Sequence, residues 1–330
     1  MNFKQLIMTA AFAALAMPIA HAQVTARLGY VPTEDHPVGQ GVNKFIDLVK
    51  AKSNGKIIIT PYSGGKLGNE PQLQSSLQGG VLDIMVGPTS NFVGAIKEFG
   101  IYDLPFFYAN FKEVDAVMDG RVGKSLFKKL EGINIVGLAY WDNGFRHMTN
   151  AKRQILKAED MKGLKIRVIP NPLFIATFKA LGTNPIGLPY PELYSALESK
   201  AVDAQETPVG LIYSSKFYEV QKYLTLTGHI YTPYMLLAST KWFNALSDAD
   251  RKIVMEAAQE SAIFQRNLSR SAADNIAHKI LKDLGMDVVT LPPEEMTKLR
   301  NLVKPVQEEF SKIIGEDLVG QARADMAAAH

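Results

Sequence analysis

Two arginines in this sequence have the chemistry to hold a carboxylate. Arg167 lies near the end of residues 164–168, where apolar and cationic residues alternate as they do in a β-strand. At a strand end, its planar guanidinium can face a cleft and bind a carboxylate through two parallel hydrogen bonds. Arg146 follows residues 141–145, whose aromatic residues and glycine favour a lined pocket. A solvated surface salt bridge is the alternative for both arginines.

The sequence lacks the common motifs of metal, phosphate and nucleophile chemistry. None of the six histidines has the spacing of an H-E-x-x-H metal site. Residues 63–68 look like a phosphate-binding loop but lack its G-K-[ST] ending, so a plain glycine turn is favoured. No G-x-S-x-G nucleophile elbow occurs, and no G-x-G-x-x-G loop follows a strand. Paired-carboxylate chemistry stays open, because the sequence does not show which acids converge.

The elements that must position these residues are strands alternating with helices. Short apolar runs predict strands, and apolar residues at helical spacing predict the helices between them. This alternation indicates an α/β fold with a mostly parallel sheet, and the pattern occurs twice along the chain. The predicted strands are 24–30, 56–62, 82–86, 133–140 and 164–169, and the predicted helices are 41–52, 70–79, 173–181 and 191–199.

A long helix is predicted after the second set of strands and helices. Ser247 can cap it, with Asp250 three residues further on, and neither Gly nor Pro occurs again until Gly285. A helix from Asp248 to Leu284 would extend about 55 Å, which is longer than one domain. We therefore expect one continuous helix that lies across both α/β units.

Composition limits the classes of partner. The chain has 330 residues, with 36 Lys and Arg against 33 Asp and Glu, and it has no Cys. The near balance of charge argues against a nucleic-acid partner, which would need a basic patch. Without cysteine, neither disulfides nor cysteine-ligated metals are possible, and the fold depends on its apolar core.

The first 22 residues have the pattern of a secretory signal peptide. Lys4 precedes the apolar residues 6–20, and Ala20-His21-Ala22 is a small-x-small cleavage site. We therefore predict cleavage before Gln23 and a mature protein in the periplasm. No later segment is apolar for long enough to span a membrane, so we expect no stable membrane insertion.

With these features the chain resembles the solute receptors of tripartite ATP-independent periplasmic (TRAP) transporters, the DctP-type family. The matching segments are ordered along nearly the whole mature chain, and together they are highly specific. They are residues 63–68, 79–83, 103–107, 143–146, 149–150, 161–168, 192–197, 201–208 and 216–220.

The resemblance implies two α/β lobes, joined by crossing strands and one long helix, that close on a ligand. We expect the first lobe to comprise residues 23–143 and 233–272, and the second residues 144–232 and 273–330. By the same resemblance, Arg167 is the principal carboxylate-binding arginine. Arg146 is a second arginine that often contacts the ligand, and Tyr190 is the aromatic residue before the helix at 192.

One departure from the family pattern bears on the ligand. Thr207 stands where members of the family commonly carry asparagine, and a hydroxyl offers fewer hydrogen bonds than an amide. We expect a small hydroxylated acid, either a sugar acid or a hydroxy-monocarboxylate, with a dicarboxylate possible and no cofactor. The predicted ligand-binding residues are Arg167, Arg146, Thr207, Tyr190, Thr89, Ser90, Asn171, His36, Asn143, Glu206 and Tyr213.

Three functions follow from these patterns. The favoured one is a periplasmic receptor that delivers its ligand to TRAP membrane permease subunits. A periplasmic lyase or hydrolase, using a carboxylate with His36 or His147, is the alternative from another class, and turnover would distinguish it. A ligand-sensing subunit for a membrane kinase is the third.

Overall fold

The computed structural model describes residues 23–329, so the predicted signal peptide lies outside the described residues. The strands are β1 (Val24–Gly29), β2 (Ile57–Tyr62), β3 (Ile84–Pro88), β4 (Ile135–Asn150), β5 (Lys165–Val168), β6 (Asn184–Gly187), β7 (Ala204–Pro208), β8 (Tyr223–Leu226), β9 (Tyr231–Ser239) and β10 (Asp287–Thr290). The α-helices are α1 (Pro37–Lys52), α2 (Glu70–Gln78), α3 (Phe111–Asp119), α4 (Arg121–Leu130), α5 (Pro172–Ala180), α6 (Leu193–Glu198), α7 (Val209–Ser214), α8 (Thr240–Ala245), α9 (Asp248–Asn275), α10 (Leu281–Asp283), α11 (Pro293–Ile314) and α12 (Glu316–Ala327).

The strands form one mixed sheet in the order β2-β1-β3-β9-β4-β7-β5-β6, and β8 pairs with β4 and β10. Strands joined by helices pair in parallel, as β1 does with β2 and β3, and β5 with β6 and β7. The crossing strands β4 and β9 pair antiparallel with their neighbours. The predicted α/β class is therefore confirmed, although the crossing strands make the sheet mixed rather than mostly parallel.

Strand β4 joins the two lobes. Its first part pairs with β9 in the first lobe, which is built on β1, β2, β3 and β9. Its last five residues, 146–150, pair with β7 in the second lobe, which is built on β5 to β8 and β10. Between the two parts the register shifts at Asp142 and Gly144, and Gly144 has a φ of +115°, a conformation that favours glycine. The chain therefore bends where it passes between the lobes.

The long helix runs through both lobes, as the sequence predicts. Ser247 accepts a hydrogen bond from the Asp250 amide, and α9 continues through a π-helical turn, Ile276–Ile280, into α10. Val254 packs in the core of the first lobe, and Leu281 packs in a core of the second. The π-helical turn was not predicted, because no Gly or Pro marks it.

The bounds of the lobes stay a prediction, and the packing of α12 bears on them. Val319 and Ala322 of α12 lie in the same apolar core as Val117 of α3 and Leu126 of α4. We propose that the last helix belongs with the first lobe, although the sequence pattern placed it with the second. Among the described residues, none of the helices combines the length and the apolar character needed to cross a membrane.

Candidate ligand-binding site

Arg167 is a buried arginine at the end of β5 whose guanidinium is only partly paired. It is 2% exposed, and its Nε donates a hydrogen bond of 2.8 Å to the carbonyl of Leu188. Its Nη1 and Nη2 atoms make no hydrogen bond or ion pair within residues 23–329. Burial lowers the pKa of Arg167, while the charge of Glu206 acts to raise it. The two free nitrogens can therefore bind an anionic group.

Arg146 is equally buried, but its guanidinium already holds a carboxylate. Its Nε and Nη2 atoms donate to the two carboxylate oxygens of Glu206 at 2.5 and 2.9 Å, and Nη2 also reaches the Glu206 carbonyl at 2.7 Å. His229 lies 3.1 Å from the same carboxylate. Burial alone would raise the pKa of Glu206, but Arg146 and His229 outweigh it and the pKa is lowered. Arg146 keeps only Nη1 for a ligand.

Both arginines line a small cavity between the lobes. Its volume is about 30 Å³, so the walls approach each other closely. Five of the predicted ligand-binding residues line it, and these are Arg167, Arg146, Thr207, Tyr190 and Asn143. The lining also includes Glu70, Asn91 and Tyr234, which the sequence analysis missed.

Three of these side chains offer polar atoms in different ways. Asn143 Oδ1 and Thr207 Oγ1 are buried and have no hydrogen-bond partner in the protein, so a ligand could supply one. Tyr190 instead bonds to Ser215 Oγ at 2.7 Å through its hydroxyl. Its ring lies 5.7 Å from the Arg167 guanidinium carbon, so Tyr190 contributes an aromatic face rather than a hydroxyl.

Glu70 is the charged residue that the sequence analysis missed. It is the first residue of α2 and is 6% exposed. Burial raises the pKa of its carboxyl, and the charge of Arg167 acts in the opposite direction. A signal was present in the sequence, because Asn69 caps α2 and Pro71 follows Glu70, which marks a helix start after the glycine turn at 63–68.

Two other predicted contacts, Ser90 and Asn171, do not line the cavity. Ser90 Oγ donates to Asp103 Oδ1 at 2.5 Å, and Asn171 Nδ2 donates to Asp103 Oδ2 at 2.9 Å. The sequence made them candidates because Ser90 carries a hydroxyl just after the third strand and Asn171 follows the strand of Arg167. Their polar atoms are used by Asp103 instead, so the geometry does not support a direct ligand contact.

The remaining four predicted contacts also have partners within the protein. His36 caps α1 by accepting the Val38 amide, and Thr89 Oγ1 lies 3.5 Å from the Pro233 carbonyl. Tyr213 is 38% exposed and stacks on another tyrosine. Glu206 is held by Arg146 and His229, as described above. None of the four is part of the cavity lining. Glu206 is connected to the cavity through Arg146, whose guanidinium it holds.

A larger cavity of about 690 Å³ lies on the hinge side, between β4 and the π-helical turn. Of the two arginines that line it, the half-buried Arg270 already pairs with both oxygens of Asp115 and with Asp142, and Arg300 is exposed. The smaller cavity is the better candidate for an anion, because its unpaired guanidinium nitrogens belong to a buried arginine, Arg167, whereas those of Arg300 are exposed to solvent. Within residues 23–329, no group of three or more His, Asp or Glu side chains is arranged to hold a metal ion.

Most of the chain is similar to known proteins. The model of the family "Bacterial extracellular solute-binding protein, family 7" (DctP) matches residues 28–313. The 2,3-diketo-L-gulonate-binding periplasmic protein YiaO of Escherichia coli K12 is 34% identical over 269 residues, which cover 82% of each chain. The sugar acid binding protein DctPAm of Advenella mimigardefordensis, solved with galactonate, has a TM-score of 0.91 and 40% identity over 93% of this chain and 99% of its own. A TRAP solute-binding protein of Polaromonas sp. JS666, solved with D-erythronate, has a TM-score of 0.86 and 35% identity over 92% and 99%.

Proposed function

Because this chain belongs to family 7 of the bacterial extracellular solute-binding proteins, the DctP family, we propose that it is a periplasmic receptor for a sugar acid or a related hydroxy-monocarboxylate. It releases the bound anion unchanged to a TRAP membrane transporter. The observation that carries this proposal is the buried guanidinium of Arg167, with two nitrogens that no protein group satisfies.

The free nitrogens of Arg167 favour a carboxylate ligand. A buried charge is costly unless a partner of opposite charge accepts its hydrogen bonds. The flat fork of Nη1 and Nη2 fits the two oxygens of one carboxylate in parallel. Arg146 cannot do the same, because Glu206 already occupies its Nε and one Nη.

The rest of the cavity favours hydroxyl groups on the ligand. Asn143 Oδ1 and Thr207 Oγ1 can accept hydrogen bonds, and the Glu70 carboxylate can accept more. A second carboxylate placed near Glu70 would be repelled, so a monocarboxylate is favoured over a dicarboxylate. The aldonates bound by the two relatives of solved structure, galactonate and D-erythronate, have this chemistry.

The ligand would also drive closure of the lobes. Arg167 and Thr207 belong to the second lobe, and Glu70 and Asn143 come from the segments of the first. One anion that contacts both sets stabilises the closed form more than the open form, and this difference shifts the population.

A binding screen tests the proposal. The mature protein is titrated calorimetrically with galactonate, D-erythronate and succinate, and its melting temperature is measured with each. We expect one site per chain, with at least one aldonate binding more tightly than succinate. Failure of both aldonates to bind, with succinate or no acid binding, would contradict the proposed ligand class.

Two further measurements separate the alternative functions. Chemically altered aldonate, recovered after incubation with catalytic amounts of protein, would support a lyase or hydrolase. The structure gives that alternative little support, because neither His36 nor His147 lines the cavity that holds Arg167. A pull-down from membranes that recovered a kinase instead of a permease would favour the sensing function.

A further inference from the structure

We propose that Ser90, Asp103 and Asn171 form a latch that holds the two lobes closed without touching the ligand, with Asp103 as its positioning residue. Ser90 and Asp103 belong to the first lobe, and Asn171 begins α5 in the second. The proposal goes beyond the proposed function, because it concerns how long the receptor stays closed and not what it binds.

The latch consists of two hydrogen bonds to the Asp103 carboxylate and one to the Ser90 carbonyl. Asp103 accepts from Ser90 Oγ at 2.5 Å within the first lobe and from Asn171 Nδ2 at 2.9 Å across the lobes. Asn171 Nδ2 also lies 3.2 Å from the Ser90 carbonyl, which adds a second contact across the lobes. The three residues are at most 3% exposed, so water does not compete for these bonds.

Both sides of the latch are held in position before they meet. Asn171 Oδ1 caps α5 by accepting the Leu173 amide at 2.9 Å, and this bond fixes the direction of its amide nitrogen. On the other side, the Ser90 hydroxyl orients the Asp103 carboxylate. Groups that are already oriented lose little conformational entropy when the lobes close, so most of the hydrogen-bond energy favours closure.

The burial of Asp103 makes the latch depend on closure. Asp103 is fully buried and has no salt bridge among the described residues, and Arg146 and Glu206 act on it only through their charges. A buried carboxylate needs hydrogen-bond donors, and Asn171 supplies one of the two donors it has. Because that donor comes from the other lobe, opening the lobes removes it from the carboxylate.

The test uses Asn171→Ser, which separates the latch from the helix cap. Serine caps a helix about as well as asparagine does, but it has no amide to reach Asp103. Asn110→Ser is the matched control, since Asn110 caps α3 within the first lobe by accepting the Glu113 amide. Ser90→Ala is a second latch variant, in case Asn171→Ser folds poorly.

Dissociation of galactonate and of D-erythronate is followed by stopped flow. We expect both latch variants to release each ligand about tenfold faster, because one or two buried hydrogen bonds are lost, with association changed by less than about twofold. The factor should be the same for the two ligands, because the latch touches neither. Asn110→Ser should release both ligands at the wild-type rate.

Label distances provide a readout that does not need a known ligand. The chain has no Cys, so Ser75→Cys on α2 and Ser195→Cys on α6, both exposed, place one spin label on each lobe. Pulsed electron paramagnetic resonance should show a smaller closed fraction in Asn171→Ser than in the parent protein. If no acid binds, the proposed function fails, and these distances alone then decide about the latch.

Two results would overturn the latch. Wild-type dissociation rates together with unchanged label distances in both latch variants would show that these bonds do not hold the lobes. A factor that differs strongly between the four-carbon and the six-carbon aldonate would instead place Asn171 or Ser90 in contact with the ligand.

Discussion

Replacing Arg167 by lysine should weaken aldonate binding by about one to two decades, although the positive charge is kept. In the native protein, Nε is used by the Leu188 carbonyl and the two Nη atoms are free for the ligand. A lysine ammonium keeps the charge but cannot make the parallel pair of bonds. Losing one charge-assisted hydrogen bond costs roughly 1.5 to 3 kcal/mol, which corresponds to that loss of affinity.

Replacing Arg167 by alanine should be worse, because the ligand carboxylate is then buried without a counter-charge. Breaking a buried pair on one side costs roughly 3 to 5 kcal/mol, or about two to four decades in affinity. Arg153→Lys is a matched control, because Arg153 is an exposed arginine that bonds to two backbone carbonyls away from the cavity.

Calorimetric titration with galactonate measures all three variants, and circular dichroism verifies that each is folded. Near-native affinity of a folded Arg167→Ala variant would refute the reasoning and move the carboxylate anchor elsewhere. Equal losses in Arg167→Lys and Arg153→Lys would mean that the loss of affinity does not come from the guanidinium hydrogen bonds of Arg167 in the cavity.

Three further predictions concern the buried charges around the site. Arg146→Ala should lower the free energy of unfolding by roughly 3 to 5 kcal/mol, because Glu206 is left buried without its arginine, and urea unfolding measures this. An unchanged denaturation midpoint would contradict it. Glu70→Gln should reduce the preference for galactonate over succinate, because Glu70 no longer repels the second carboxylate of succinate. The ratio of the two dissociation constants measures this preference, and an unchanged ratio would show that Glu70 does not select the ligand. Burial raises the pKa of Asp103 to about 7, so the folded state binds the Asp103 proton more tightly than the unfolded state does. The protonated carboxyl therefore contributes stability that is fully present below about pH 4 and is lost as the pH rises to 7. Arg146, Glu206 and Tyr108 are the ionisable groups that interact with Asp103 through charge. Relative to wild type, Asp103→Asn should therefore gain stability between pH 4 and pH 7, by on the order of a few kcal/mol, and a pH-independent difference in unfolding free energy would be the contrary result.

The two buried arginines have different functions in the proposed site. Arg146 forms a closed pair with Glu206 and stiffens the wall, whereas Arg167 leaves its nitrogens to the ligand. Because the pair is complete without ligand, Arg146 adds one donor at most, and under the proposed function Glu70, Asn143 and Thr207 select among acids.

The sequence by itself indicated part of the α/β pattern, the long helix and Arg167 as a candidate for the carboxylate. Apolar periodicity predicted β1, β2, β3, β5, part of β4 and the helices α1, α2, α5 and α6, because it depends only on the repeat of the local backbone. It did not predict β6 to β10 or the other helices apart from the long one. The absence of Gly and Pro after Ser247 predicted the long helix for the same reason. Arg167 could be found because it stands at the end of its own strand, which is a local property.

The pairing of charges was decided only by the tertiary structure. Arg146 and Glu206 are 60 residues apart, and they meet because the antiparallel register of β4 and β7 sets Met148 opposite Glu206 and Arg146 opposite Pro208. No local pattern shows that this pairing leaves Arg146 one free nitrogen and Arg167 two. Register between distant strands depends on how the whole sheet assembles, so it is not readable from either segment alone.

The tertiary structure also decides which polar residues around the cavity are free to bind a ligand. Ser90 and Asn171 carry suitable groups for a ligand, but Asp103, 13 and 68 residues away from them, takes both. Glu70 enters the cavity because α2 begins there, and the π-helical turn packs with Ile276 and Ala277 in a core of the second lobe. A side chain's type states which bonds it can make, whereas its burial and its nearest neighbours, which only the folded chain fixes, decide which bonds it does make.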